Sequence, residues 1–134
     1  MMPRKSMMKR AIALTSALTL GALAAHAENT ISTDGLKAST SAVSIGTVTA
    51  EKDGYIVVHR TDFTGTLPGA IIGHAPIKAG QSAEVSVPLS VQPEAGSKLI
   101  VMLHAEGNGD TTFDAADKPV TEGRGPVQQI VTVQ

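Results

Sequence analysis

Between His104 and Asp117 the chain places an oxygen-bearing side chain at alternate positions: Glu106, Asn108, Asp110, Thr112 and Asp114. Gly107 and Gly109 give the backbone between them freedom to curl. This pattern suits a hard cation. Calcium takes about six to eight oxygens at roughly 2.3–2.6 Å, drawn from carboxylates, amides and carbonyls. Glu106, Asn108, Asp110 and Asp114 are the candidate ligands, and Asp117 can add another. The segment is not an EF-hand: its first ligand is Glu, Asp stands in place of the closing Glu, and no flanking helix is predicted. The competing reading is a turn-rich loop whose Asp and Asn side chains bond their own backbone.

A second set of candidates is softer. His59 and His104 each end a strongly apolar run, and His74 ends a third. If those strands are neighbours, the three imidazoles gather at one end of the fold. Met102 shares a strand face with His104 by its i, i+2 spacing. His59, His74, His104 and Met102 together suit copper, and the histidines alone suit zinc or copper. No short His-x-His or His-x-x-x-His motif accompanies them, and isolated histidines also serve as core-edge residues bonded to loop backbone.

Signatures of catalysis are missing. There is no Gly-x-Ser-x-Gly elbow, no phosphate-binding glycine pattern and no His-Glu-x-x-His. Asp110 and Asp114 form a carboxylate pair only on a short polar loop, where solvation or ion binding explains them better. The chain has no cysteine, which excludes a thiol nucleophile, thiolate zinc, disulfides and a blue-copper ligand set. No enzyme activity is expected.

The elements that must position these residues follow a leader. Arg4, Lys5, Lys9 and Arg10 precede an uncharged apolar run from Ala11 to Ala25, and Ala25-His26-Ala27 places small residues at the −3 and −1 positions of a cleavage site before Glu28. This is the layout of a secretory signal peptide over residues 1–27. The apolar run is short for a membrane span of about 20 residues. A periplasmic or secreted location is therefore expected, without a membrane span. The four leader cations belong to a total of eleven Lys and Arg, so the remainder holds seven basic against twelve acidic side chains. An acidic domain without a basic stripe is a poor partner for nucleic acid. With only Tyr55, Phe63 and Phe113 as aromatics, stacking platforms for sugars or bases are scarce too.

Residues 28–41 read as a polar lead-in and 42–134 as one domain. Val43, Ile45 and Val48 lie among Thr and Ser in a strand from Ala42 to Ala50, which Gly46 interrupts as a bulge. Lys52-Asp53-Gly54 then turns the chain into the dense strand Tyr55–Arg60, and the two read as a hairpin. Ala70–Ala75 is a short strand beyond a Gly/Pro loop. Val85, Val87 and Leu89 alternate with polar residues, and Pro88 marks an edge or a strand end. Lys98–His104 is apolar on both faces, as a central strand requires, and Val127–Val133 closes the domain. Short strands at regular spacing, with no segment of helical period, predict an all-β, Ig-like antiparallel β-sandwich of about six to seven strands.

Four segments in order carry a family resemblance: Tyr55-Ile56-Val57-Val58-His59, Ala70-Ile71-Ile72-Gly73-His74 through Gly80, Val101-Met102-Leu103-His104, and Gly107-Asn108-Gly109-Asp110 through Asp114. The chain resembles a secreted β-sandwich domain family of uncharacterised function, found in haloarchaeal surface glycoproteins and some bacterial exported proteins. Glu106 stands where that family often has Asp. The resemblance implies a sandwich at the cell surface or in the periplasm, without catalytic activity or a defined ligand. The resulting expectation is an exported, non-catalytic envelope or surface interaction module with a protein partner. The alternative is a periplasmic metal-binding protein, through calcium on the acidic loop or copper or zinc on the histidines.

Overall fold

In the computed structural model of the chain, residues 28–134 are described; the leader read over residues 1–27 lies outside the described residues. Two antiparallel sheets face each other. In the first, β3 (Ala42–Ala50) pairs along one side with β6 (Gly80–Pro88) and along the other with two short pieces, β1 (Thr30–Ile31) and β2 (Lys37–Ala38). In the second, the order is β10 (Gln128–Thr132), β7 (Lys98–Ala105), β4 (Gly54–Thr61), β5 (Pro68–Ile77). A small hairpin, β8 (Thr121–Glu122) with β9 (Gly125–Pro126), interrupts the return to β10. There is no helix among the described residues, and hence none long and apolar enough to cross a membrane. The all-β sandwich expected from strand spacing is the fold observed.

The core lies between the sheets. Val43, Ile45 and Val48 of β3 and Val87 of β6 meet Ile56 and Val58 of β4 and Leu99, Val101 and Leu103 of β7. All of these are at most 1 % exposed. Strand periodicity explains the choice, since every second side chain points inward. β7 is buried along nearly its whole length, as its unbroken apolar run requires of a central strand. On β6 only alternate side chains turn inward, and the strand pairs with β3 alone, so Pro88 sits where no further ladder is needed.

Two expectations change. Strands β3 and β4 do not form a hairpin: the Lys52-Asp53-Gly54 turn carries the chain from one sheet to the other, and β4 pairs instead with β5 and β7. Gly54 decides this contact, because a Cβ there would collide with the carbonyl oxygen of His104 on β7. The polar lead-in of residues 28–41 is also part of the sandwich. It supplies β1 and β2, and buries Ile31 and Ala38 in the core. Gly46 does mark an irregularity. The β3–β6 register runs through Ile45↔Val85 and Thr47↔Ala83, and Glu84 between them takes φ 52°, a backbone region rarely used by non-glycine residues.

Candidate functional site

The side chains of β4 and β7 that point away from the core build a second buried layer. Paired positions share a face, and the pairs Tyr55↔His104, Val57↔Met102 and His59↔Ile100 all lie on this outer side. His74 joins them from β5 opposite Val57, and Gln128 joins from β10 opposite Met102. Val57 and Ile100 are fully buried, and Met102, Tyr55, His104 and His59 are between 3 and 8 % exposed. Ile71 and Ile130 form its half-exposed margins. The long segment after β7 folds back over one end, where Phe113 packs edge-on against Tyr55 and His104, with ring centroids 5.3 and 5.5 Å apart.

Within this layer the structure brings together two of the three histidines. The His59 and His104 rings lie 5.9 Å apart, centroid to centroid. Each is held by its Nδ1–H. His59 donates to the Gly69 carbonyl at 3.0 Å and His104 to the Asp117 carbonyl at 2.7 Å. A carbonyl only accepts, so both rings carry their proton on Nδ1 and leave a lone pair on Nε2. Neither Nε2 has a hydrogen-bond partner among the described residues, although both atoms are shut off from solvent. A buried acceptor left unpaired costs about 1–3 kcal/mol. Burial, and secondarily the neighbouring His59, pull the His104 imidazole below its ordinary pKa against the raising effect of the Asp117 carbonyl, so its neutral form is favoured. His74 stands apart: it is exposed, and its ring packs on Phe113 at 4.9 Å.

The acidic segment closes on itself. Glu106 Oε2 accepts from the amides of Asn108 and Gly109, at 2.8 and 2.7 Å. Its Oε1 accepts from the Tyr55 hydroxyl at 3.2 Å. Asp110 accepts from the Thr112 amide, and Asp114 from the Ala116 amide and the Asn108 side chain. Asp117, missed as anything more than an extra ligand, is the centre of this loop. It is 2 % exposed, and its carboxylate accepts from the Gly107 and Asp114 amides, both at 2.8 Å. Burial opposes its charge, but the bonds from those two amides outweigh it and hold the carboxyl below its usual range. Burial and the bond to Glu106 push the Tyr55 hydroxyl up to about 12. The oxygens at Glu106, Asn108, Asp110 and Asp114 thus serve local turns, which is how Asx-type side chains compete for backbone. Among the described residues, no three His, Asp or Glu side chains form a group arranged to hold a metal ion.

At the opposite end of β4, the loop to β5 is braced in the same manner. Asp62 accepts from the Thr64 hydroxyl and from the Thr66 and Leu67 amides. The Thr64 bond, followed by the backbone amides, overcomes desolvation and lowers the pKa of its carboxyl. Held on this frame, Phe63 is completely exposed and Leu67 is 61 % exposed.

These strands, turns and loops, from the first short strand onward, match one family along their whole length. The chain belongs to the family described as Domain of unknown function (DUF7282), matched over residues 29–134. The DUF7282 match begins at Asn29, so it takes in the two short strands of the lead-in together with the sandwich. It also spans both histidines of the buried pair and the whole acidic loop. No curated protein and no solved structure matches the chain.

Proposed function

We propose that this DUF7282 chain is an exported, non-catalytic β-sandwich that works as an envelope or surface interaction module. The reading rests first on Phe63. An aromatic ring left wholly in water on a loop tied down by Asp62 has no role in the fold, and rigidly presented loops are where binding residues concentrate. Aromatic side chains are the usual anchors of protein interfaces. Leu67 adds apolar surface beside it. Export is supported by the basic, apolar and small-residue order of residues 1–27.

A photo-crosslinking residue placed at position 63 in cells that produce the protein tests this reading. The expected result is a discrete adduct with one envelope or surface protein, absent when the same residue is placed at Glu84 on the other sheet. Cell fractionation should recover the protein outside the cytoplasm. Recovery in the cytoplasm, or identical labelling from both positions, overturns the proposal.

A further inference from the structure

The buried outer layer of the second sheet holds groups that loop presentation does not use. His59 and His104 sit four residues apart in register, roughly 13 Å along the strands. Their rings nevertheless close to 5.9 Å, so both side chains lean inward over the Val57–Met102 pair. The carbonyls that hold them, from Gly69 and Asp117, lie at opposite ends of this face, which turns each Nε2 toward the middle. Two imidazoles bound to one ion through nitrogens about 2 Å from it place their rings at roughly this separation. An Nδ1–H donated to a backbone carbonyl is also the arrangement that orients a metal-binding histidine. A third buried acceptor without a partner, Gln128 Oε1, belongs to the same face across Met102. Unpaired acceptors gathered in one dry layer call for a cation.

We propose that His59 Nε2 and His104 Nε2, with the Met102 thioether as third donor, bind one Cu(I) ion. The donor set selects the metal. Thioether sulfur is soft and favours Cu(I), whereas zinc requires four N, S or O donors in a tetrahedron. Charge decides in the same direction. A divalent ion in a dry layer needs carboxylate compensation, and the nearest buried carboxylate, Asp117, already accepts from two amides. A monovalent ion between neutral imidazoles leaves a smaller charge to compensate, because the cost of burying an ion rises steeply with its charge. His74, exposed and packed on Phe113, is outside the site.

The test is an oxygen-free titration of the purified protein with Cu(I) against a coloured Cu(I) chelator, repeated with Zn(II). One equivalent of Cu(I) should be withheld from the chelator. H74Q should match the wild type, M102L should bind about tenfold or more weakly, and H59Q and H104Q at least about a hundredfold more weakly. Imidazole ¹⁵N spectra of the wild type provide a readout that needs no substitution, should a variant fail to fold. With one equivalent of Cu(I), the Nε2 resonances of His59 and His104 should move while His74 stays. No retention, retention that leaves those two resonances in place, or Zn(II) held as tightly at the same nitrogens overturns the proposal. A dry or water-bridged histidine pair would give the first result.

Discussion

His104 links the two halves of the site: its Nδ1–H donates to the Asp117 carbonyl, while the Asp117 carboxylate gathers the Gly107 and Asp114 amides. One acidic residue therefore sets both the shape of the loop after β7 and the tautomer of a buried imidazole. Replacing Asp117 with Asn leaves one amide donor facing an NH₂ group. The expected result is amide exchange at Gly107 and Asp114 faster by roughly tenfold or more. Hydrogen exchange read by NMR checks it, and the same variant should broaden the His104 ring signals. Unchanged exchange would show that the loop is held by other bonds.

Stability should fall as pH drops through the histidine range. The folded His104 has a lowered pKa, so the unfolded chain binds the proton more readily. Its contribution is complete above the unfolded value of about 6.5 and declines as pH falls from there toward the folded value. Urea midpoints should therefore be lower at pH 5 than at pH 8. H104Q should flatten that part of the slope even if it is less stable throughout. Asp117 and Asp62, both with lowered values, add a separate loss below about pH 4.

Gly54→Ala should cost about 1–3 kcal/mol or more, because its new methyl group meets the His104 carbonyl on the neighbouring strand. Gly125 has nothing within 4 Å of its Cβ position, and its Ala variant should stay within about 0.5 kcal/mol of the wild type. Denaturant unfolding of the two variants side by side measures the difference. Equal values would mean that β4 can shift away from β7 without loss.

Ile100 tests whether the outer layer is a true second core. It is fully buried but lies on the face away from the sandwich interior. Ile100→Ala should cost about 2–5 kcal/mol, like a core truncation. Ile130→Ala, at the half-exposed margin of the same face, should cost clearly less. Similar small effects at both positions would reduce the layer to a surface patch.

Much of the fold was legible because it depends on local alternation. The unbroken apolar run Lys98–His104 announced a central strand, and Val85, Val87 and Leu89 beside Pro88 announced an edge. Pairing was less legible. The Asp53-Gly54 turn signal states that the chain reverses, not which sheet receives it; the packing of Gly54 against His104, fifty residues away, decides that. Two-residue strands such as β1 and β8 are too short to show any period. In the candidate site, strand-end positions and i, i+2 spacing placed Met102 and His104 on one face and pointed to clustered imidazoles. Only the register between β4 and β7 shows that His59 joins His104 while His74 turns to Phe113. For the acidic loop, alternating oxygens and glycines fit an ion and a chain of Asx turns equally well. The observed bonds to Asn108, Gly109, Thr112 and Ala116 amides follow the second pattern.

Both seams of the sandwich are stitched. Gln134 donates to the Ala38 carbonyl beside the Ala38↔Val133 bridge on one side, and Ser90 donates to the Ile72 carbonyl on the other. Open sheet borders are templates on which further chains can add as strands, and these two are partly covered by the molecule's own backbone. Pro88 on β6 and Pro68 and Pro76 on β5 remove donors from what remains. A second copy that tried to extend either sheet would find few free backbone donors along these borders.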